Sequence, residues 1–347
     1  MAEKNYSIHD VVKFKIIGKK LSPRLTIEYK NFEVPSVENP DFIVNLRKFR
    51  PNLEECFVLD NKYYIKDGYF YCKDSYKYGK WEIEVIGLDE EQTTVNLNLN
   101  YIGKRFADMF ISAFVVDFMI RFKLEQKGYS VVHASAVAKN GIGFLFPSQS
   151  GAGKTTTAVY FANDGYGYLG DDFVIIHKGE VLSYLTPLNI FSYNLNPRVS
   201  QRLNPFDRVL LKAKSLLYRF GHIKIFTKAD PAEIFSSNII EKAKLKAIFL
   251  LEQGSSVSIE PVDRKYVING MHINQKLESF PFFKYLLEYS YVYPNSYIAK
   301  HWQKCRDNLS RNLTGDIEFY KLTVPKKYDM HTFLKVKEVI ENVSKDL

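Results

Sequence analysis

The sequence predicts an α/β protein in which a β-rich N-terminal region precedes a core of alternating strands and helices. Residues 1–102 are rich in aromatic residues and alternate apolar with polar positions, as half-buried strands do. Residues 144–157 combine a hydrophobic segment, a loop of small residues and the apolar start of a helix. We therefore expect two domains, residues 1–102 and 103–347, in line with the usual domain size of roughly 100–200 residues.

The N-terminal region is predicted to form a small sheet. Residues 63–72 have the pattern of a hairpin, because Asp67 and Gly68 suit a two-residue turn and β-prone residues flank them. Residues 81–86 and 94–99 alternate apolar and polar side chains. A β-rich accessory domain accounts for these segments.

The remaining chain alternates between helical and strand-like periods. Residues 103–127 have apolar positions at helical spacing, and Gly128 supplies a stop signal. Residues 194–235 contain two Asn-Pro steps and are predicted to be a loop-rich insertion. The other predicted strands are 129–137, 142–146, 173–176, 245–251 and 319–324, and the other predicted helices are 155–163, 282–291, 298–309 and 330–343.

The loop between the segments at 142–146 and 155–163 predicts a phosphate-binding site. Gly151 and Gly153 allow the backbone to approach an anion closely, and the N–H groups at a helix start point towards it. Lys154 is expected to reach the terminal phosphates and Thr155 to bind Mg²⁺. Ser148 stands where the leading glycine of such a motif is usual. The nucleotide-binding residues that we predict are Gln149, Ser150, Gly151, Ala152, Gly153, Lys154, Thr155 and Thr156.

Two further features add chemistry to this loop. The pair Asp171 and Asp172 follows a short β-prone segment, and such a pair can divide the work between a general base and a ligand for Mg²⁺. His133 lies in an apolar segment, where a single histidine is either a packed residue or a functional one. Adjacent acids in a turn are also common on solvated surfaces. The functional interpretation of Asp171 and Asp172 therefore depends on the phosphate loop that precedes them.

The positive charge of the chain is concentrated in one stretch. The net charge is +9, and residues 198–228 contain eight basic residues and one acid. This stretch is interpreted as a solvated surface, as a contact for phosphate or an acidic acceptor, or as a nucleic-acid surface. Arg198 and Arg202 are the members that we expect to contact phosphate or substrate. Nucleic acid is the least favoured partner, since no nucleic-acid-binding motif is recognisable.

Location is predicted to be cytoplasmic. No apolar signal segment opens the sequence, and the most apolar stretch, around residues 109–120, contains Asp117 and is shorter than the ~20 residues of a membrane span. The three cysteines Cys56, Cys72 and Cys305 are far apart in the sequence, which suits a reducing compartment and indicates neither a disulfide framework nor a zinc cluster.

The motifs resemble those of the bacterial HPr serine kinase/phosphorylase family and its paralogues. The resemblance covers His133-Ala-Ser-Ala, the loop from Ser148 to Thr155, and the segment from Gly165 to Asp172, with similar spacing between them. It implies a phosphate-loop nucleotide-binding core of the HPr kinase/phosphoenolpyruvate carboxykinase type. It also implies that Asp171 is the catalytic base, that Asp172 lies near the metal and that His133 lies beside the transferring phosphate.

The expected function is therefore an ATP- and Mg²⁺-dependent kinase that phosphorylates a hydroxyl group, on a serine of a peptide or protein or else on a small molecule. Thr156 stands where HPr kinases have an acid, and their downstream signature loop is not recognisable, so HPr itself is not the acceptor that we expect. Lys154, Asp171 and His133 are the predicted catalytic residues, with Thr155 and Asp172 as metal ligands.

Two alternatives remain open at this point. The chain also resembles ATP-dependent phosphoenolpyruvate carboxykinase in its Gly-Lys-Thr-Thr run and in Gly170-Asp171-Asp172, although that family has a shorter spacing between the lysine and the acids. A nucleotide-binding regulatory module that moves no phosphate is the second alternative. The sequence does not identify the acceptor, the oligomeric state, the choice between ATP and another donor, or any reverse dephosphorylation.

Overall fold

The chain folds into two compact units in a computed structural model that describes residues 1–76, 79–101, 111, 115–190, 208–209, 227–278, 281–326 and 328–344. The first unit comprises Met1–Gly128 and Ser279–Asp307. The second comprises Tyr129–Glu278 and Asn308–Leu347. Both units combine sheets with helices, so the described chain is a mixed α/β protein, as the sequence predicts.

The strands of the first unit form one large sheet. In chain order they are β1 (Ala2–Ile8), β2 (Val12–Gly18), β3 (Glu33–Val34), β4 (Phe42–Leu46), β5 (Phe57–Leu59), β6 (Tyr63–Lys66), β7 (Tyr69–Tyr76), β8 (Gly79–Ile86) and β9 (Thr93–Tyr101). Their order in the sheet is β3-β1-β2-β4-β9-β8-β7-β6-β5. The pairs β2/β4 and β4/β9 are parallel, and the other neighbours are antiparallel.

The strands of the second unit form a second large sheet and a two-stranded one. They are β10 (Ser130–Val132), β11 (Ala134–Lys139), β12 (Ile142–Pro147), β13 (Gly167–Gly170), β14 (Val174–His177), β15 (Glu180–Leu182), β16 (Leu188–Ile190), β17 (Thr227–Ala229), β18 (Lys242–Gly254), β19 (Ser258–Pro261) and β20 (Glu318–Pro325). The large sheet runs β10-β14-β15-β18-β12-β11-β13, with β20 also paired to β18 and to β19. Strands β16 and β17 pair separately.

The helices of the described residues are α1 (Pro23–Glu28), α2 (Asp117–Gln126), α3 (Lys154–Asn163), α4 (Pro231–Phe235), α5 (Arg264–Leu277), α6 (Pro281–Val292), α7 (His301–Asn312) and α8 (Met330–Ser344), with a short 3-10 helix at Lys30–Phe32. Among these residues no helix is long and apolar enough to cross a membrane. Cytoplasmic location stays a prediction.

Local sequence explains the first sheet. Strand β2 alternates buried and partly buried residues along its whole length, because successive side chains point to opposite faces. The predicted hairpin is confirmed by the antiparallel pairing of β6 with β7, where Gly68 takes a left-handed φ of +62°. Glycine adopts that conformation at little cost, and it closes the turn.

The second sheet is covered on both faces, which makes its central strands continuously apolar. On β12, Phe144 and Phe146 pack on one face with α3 and α8, whereas Leu145 packs on the other face with α5. Burying each such side chain stabilises the fold by roughly 1.5–3 kcal/mol. This packing fixes β12 and α3, the two elements that flank the predicted phosphate loop.

The domain boundary in the structure differs from the predicted one after residue 102. Helix α2 contacts β2, and helix α6 contacts β6, so both helices belong to the unit of the first sheet. Sequence periodicity shows that a helix is amphipathic but not which sheet it covers. The predicted helix at 103–127 is observed as α2, and residues 102–110 and 112–114 lie outside the described residues.

The predicted insertion at 194–235 lies mostly outside the described residues. Its last part is ordered into β17 and α4, where Asp230 caps α4 by accepting a hydrogen bond from the Ala232 N–H at 2.9 Å. The predicted strand at 129–137 is observed as two strands, β10 and β11, with His133 between them.

Candidate active site

The loop between β12 and α3 has the backbone geometry that a phosphate-binding loop needs. Gly151 and Gly153 have left-handed φ angles of +89° and +104°, which side chains other than glycine rarely adopt. A Cβ at Gly153 would also lie 3.2 Å from the ring of Tyr328. Gly153 is the N-cap of α3 and has no side chain to cap the first N–H groups of the helix. Such N–H groups are suited to bind an anion.

The backbone at Ser148 does not need the glycine that usually leads a phosphate-binding loop. Ser148 is absent from the described residues that have a positive φ, so the position does not demand glycine. Its backbone carbonyl accepts hydrogen bonds from the Lys154 ammonium at 2.8 Å and from the Asn274 side-chain amide at 2.8 Å. The loop is therefore held at this position by its carbonyl group.

Lys154 is buried, with 5% of its surface exposed, at the first position of α3. Its Nζ donates to the carbonyl oxygens of Ser148 and Gln149, at 2.8 and 3.2 Å. Burial lowers the pKa of Lys154, while the negative charges of Asp171, Asp172 and Glu278 act in the opposite direction. The ammonium group therefore lies in the field of three carboxylates.

The paired acids differ in their environments. Asp171 is buried, and burial followed by the charge of Asp172 raises the pKa of its carboxyl group. The Thr155 hydroxyl acts in the opposite direction and lowers the pKa of that carboxyl group. The buried Oδ1 of Asp171 has no hydrogen-bond partner among the described residues. The Asp172 side chain is 42% exposed. Partial burial raises the pKa of Asp172, whereas the nearby Lys154 lowers it.

Asp172 also has an unusual backbone and two basic or polar neighbours. Its φ of +66° is left-handed, a conformation that Asp tolerates better than most residues. Its Oδ2 accepts a hydrogen bond from the Asn189 side chain on β16 at 3.3 Å. The charge of Lys228 on β17 acts on the same carboxylate and lowers its pKa. Strand β16 thus supplies a hydrogen bond to Asp172, and β17 supplies a positive charge that acts on it.

Sheet topology brings the loop, the acids and the histidine to one edge. Strand β11 is antiparallel to both β12 and β13, with Ala134 opposite Pro147 and Ala136 opposite Gly170. The carboxyl ends of β12 and β13 therefore meet the amino end of β11. The phosphate loop follows β12, Asp171 follows β13, and His133 precedes β11.

His133 is 4% exposed and faces two carboxylates. Its Nε2 lies 4.0 Å from Asp172 Oδ1, and its Nδ1 lies 3.6 Å from Glu278 Oε1. Both distances exceed a normal hydrogen bond, and each contact is an ion pair only when the imidazole is protonated. The ring also packs against Phe173 at a centroid distance of 5.4 Å. The histidine thus has both a packing contact and a polar surrounding.

Sequence reasoning missed Glu278 and Asn274. Glu278 follows α5 as its C-cap and accepts a hydrogen bond from the Ser150 hydroxyl at 3.1 Å. Asn274 is buried on α5 and donates to the carbonyl groups of Ser148 and His133, at 2.8 and 3.2 Å. Both residues lie more than one hundred positions from the loop, and no local motif marks them.

Four of the other predicted site residues lie on the loop or in α3, and two lie outside the described residues. Gln149 and Ser150 are exposed on the loop, and Thr156 is 4% exposed within α3. Ala152 is partly buried, and its N–H donates to the Gln149 carbonyl at 3.3 Å. Arg198 and Arg202 lie outside the described residues. Their expected contact with phosphate or substrate stays a prediction.

The site fits a divalent cation chemically. Thr155 offers a hydroxyl, Asp171 a buried carboxylate oxygen without a hydrogen-bond partner in the described chain, and Asp172 a half-exposed carboxylate. Oxygen donors of these types are those that Mg²⁺ prefers. The fit rests on the donor set and on the buried oxygen of Asp171.

Comparisons with known proteins give distant similarities to solved structures and no match to a family model or a curated protein. The solved Hpr(Ser) kinase/phosphatase from Coxiella burnetii is similar to it with a TM-score of 0.30 and 9% sequence identity, over 62% of this chain and 97% of that chain. These values are too low to establish a family or an activity.

Proposed function

We propose that this protein is an ATP- and Mg²⁺-dependent kinase that transfers the γ-phosphoryl group to a hydroxyl acceptor. One observation carries the proposal: the glycine loop with Lys154 follows β12 and Asp171 follows β13, and both strands end beside the start of β11. Lys154 therefore lies in the electrostatic field of the Asp171–Asp172 pair. Phosphoryl transfer needs positive charge, metal ligands and a base around one point. The preference for a serine of a peptide or protein as acceptor rests on the motif resemblance alone.

Lys154 and the loop amides would stabilise the charge on the transferring phosphoryl group. The ammonium group now bonds to the carbonyls of Ser148 and Gln149, and it would exchange those bonds for phosphate oxygens. The α3 N-terminus adds backbone donors and a favourable dipole. Because these groups are fixed before the substrate arrives, they stabilise charge without reorganisation.

Thr155 and Asp172 would hold Mg²⁺, and Asp171 would accept the proton of the attacking hydroxyl. When bound, Mg²⁺ neutralises charge on the phosphates. The raised pKa of Asp171 supports its role, since a carboxylate that is more basic than usual is the better proton acceptor near neutral pH. His133, which lies between Asp172 and Glu278, would be the residue beside the transferring phosphate.

A second division of labour between the two acids is supported by the surroundings of Asp171. Asp171 is buried, its Oδ1 has no hydrogen-bond partner among the described residues, and the Thr155 hydroxyl lowers its pKa, so it could serve as the metal ligand beside Thr155. The more exposed Asp172 would then be the base. The Asn variants separate the two divisions. Loss of a ligand raises the Mg²⁺ concentration needed for activity, whereas loss of the base lowers the rate at saturating Mg²⁺.

The experiment that tests the function follows the label from γ-labelled ATP. The full chain is incubated with Mg²⁺ and a panel of serine peptides, sugars and other alcohols, and the Asp171→Asn variant serves as control. We expect the natural protein to transfer the label to an acceptor and the Asp171→Asn variant not to do so. Bound ATP with neither transfer nor hydrolysis would favour a regulatory module, and ATP-dependent formation of phosphoenolpyruvate from oxaloacetate would favour the carboxykinase-like alternative.

A further inference from the structure

A second cluster of reactive side chains lies in the first unit and takes no part in the proposed kinase reaction. Glu125 on α2 meets His301 and Cys305, which stand one turn apart on α7. Their exposed fractions are 6%, 7% and 2%. A carboxylate, an imidazole and a thiol are thus brought together inside the protein from segments far apart in the sequence.

The donor atoms of the three side chains are within contact distance of one another. Cys305 Sγ lies 2.7 Å from Glu125 Oε2, His301 Nδ1 lies 3.4 Å from the same oxygen, and Cys305 Sγ lies 3.7 Å from His301 Nδ1. A spacing of four residues places His301 and Cys305 on the same face of a helix. That spacing commonly presents two metal ligands together, as in helical zinc motifs.

These distances approach the edges of a zinc coordination tetrahedron. Zn–S bonds of about 2.3 Å and Zn–N or Zn–O bonds of about 2.0–2.2 Å place neighbouring donors about 3.3–3.6 Å apart. The edges from His301 to Glu125 and to Cys305 are close to this range. The shorter edge between Cys305 and Glu125 is a thiol–carboxylate hydrogen bond. It would lengthen by less than about 1 Å if an ion replaced the thiol proton.

We propose that Glu125, His301 and Cys305 form a zinc-binding site. The thiolate of Cys305 favours Zn²⁺ over Mg²⁺ or Ca²⁺, which prefer oxygen ligands. The ion would displace the thiol proton, and any proton on the carboxyl group, into solvent. The fourth position of the tetrahedron would be filled from outside these three side chains. The inference is independent of the proposed kinase activity.

Charge and surroundings agree with this assignment. A divalent ion with one thiolate, one carboxylate and a neutral imidazole has no net charge, which limits the cost of its burial and its repulsion from the nearby Arg121. Aromatic rings enclose the histidine: Phe283 and Trp302 each lie 4.8 Å from it between centroids, and Phe122 lies 6.0 Å away. An apolar shell of this kind excludes water from metal–ligand bonds.

The test measures metal directly in the full chain. The protein is purified under reducing conditions without chelators, incubated with one equivalent of Zn²⁺, dialysed, and analysed by elemental mass spectrometry. We expect about one zinc per chain, because a buried zinc site couples ion binding to the folded state and retains the ion through dialysis. Replacing zinc with Co²⁺ should produce a thiolate-to-cobalt charge-transfer band.

Variants identify the thiol involved. Cys305→Ser and His301→Gln should lose the metal and the cobalt band, whereas Cys72→Ser, which changes another buried cysteine of the first unit, should keep both. Circular dichroism checks that each variant is folded. If Cys305→Ser does not fold, the natural protein and Cys72→Ser still decide the question. Protein that retains no stoichiometric zinc and gives no cobalt band would overturn the site, as would metal retained by folded Cys305→Ser.

Discussion

Glu278 Oε1 lies 3.6 Å from His133 Nδ1 and also accepts a hydrogen bond from Ser150, so one carboxylate connects the histidine to the phosphate loop. Its negative charge acts on Lys154 as well. A third acid therefore belongs to the site beside Asp171 and Asp172. Its effect on an anionic ligand is repulsive, and its effect on the buried lysine is attractive.

Replacing Glu278 by Gln should strengthen the binding of ATP in the absence of Mg²⁺. Gln keeps an oxygen that can accept from Ser150 but removes a negative charge near the expected phosphates. For partly solvated charges a few ångströms apart, the effect on affinity is about threefold to tenfold. Calorimetric titration measures it, with Glu180→Gln as control for an exposed acid in the same unit. Unchanged or weaker binding of ATP would show that the charge of Glu278 does not act on the phosphates.

Replacing Lys154 by Ala should have the opposite effect and weaken ATP binding by about tenfold or more. The loss of one charge-assisted hydrogen bond to an anion costs about 1.5–3 kcal/mol, and the loop amides remain. The same titration measures the change, and Lys242→Ala serves as control because Lys242 forms an exposed ion pair with Glu180. Equal affinity of the Lys154→Ala and natural proteins would contradict the predicted role of the lysine.

Replacing Asp171 by Asn should slow phosphoryl transfer by ~10²–10⁴-fold while ATP remains bound, which is the usual effect of removing a general base. Initial rates with labelled ATP and the identified acceptor measure the change at saturating Mg²⁺. Asp164→Asn is the matched control, since Asp164 pairs with Lys337 on the surface of the same unit. Normal turnover by Asp171→Asn would remove this residue from the mechanism.

Gly153→Ala should destabilise the protein more than Gly151→Ala. Both glycines have left-handed φ, and this conformation costs a residue with a Cβ about 1–2 kcal/mol. Only the Cβ at Gly153 would also press on Tyr328, at 3.2 Å, whereas a Cβ at Gly151 meets nothing within 4 Å. Urea denaturation of both variants measures the difference. Equal losses of stability would show that Tyr328 moves aside without cost.

Lys123 should make the free energy of unfolding increase with pH between about 8 and 10.5. Burial lowers the pKa of Lys123 from 10.5 to about 8, although its Nζ donates to the carbonyl groups of Glu90 and Glu91 at 2.6 and 3.0 Å. In that window the unfolded chain binds more protons than the folded chain, so stability rises with pH. Below pH 8 the full cost of the buried charge is present.

The comparison that isolates this effect is between the natural protein and Lys123→Met. Met fills a similar volume without a charge, so the rise in stability across this pH window should be absent in the variant. Urea denaturation at several pH values measures both slopes. Parallel slopes for the two proteins would mean that Lys123 titrates with an ordinary pKa in the folded state.

The sequence predicted the elements around the phosphate loop because their signals are local. The hydrophobic run of β12, the glycines at 151 and 153, and the apolar start of α3 all lie within one short segment. The sequence associated Asp171 with the loop through the motif resemblance and its spacing, and in the structure β13 and β12 end at the same edge of the sheet. Such an edge collects the residues that follow parallel strands.

The rest of the site depends on tertiary packing that no local pattern encodes. Asn274 and Glu278 reach the loop only because α5 packs on the face of the sheet formed by Leu145 and its neighbours. The break between β10 and β11 at His133 was missed for a similar reason, since β10 pairs with β14 and β11 pairs with β12. The interrupted pairing, and not the residue pattern, ends the strand.

Residues 279–307 belong to the first unit although they follow most of the second unit in the sequence, and this affects the order in which the two units can fold during synthesis. During synthesis the first sheet emerges early, yet α6, which contacts β6, is made only after α5 of the second unit. The first sheet therefore leaves the ribosome before this partner helix is made. Its apolar surface stays uncovered until more than one hundred and fifty further residues have been synthesised. A fragment that stops at residue 128 would remain in that unfinished state, and we expect it to aggregate.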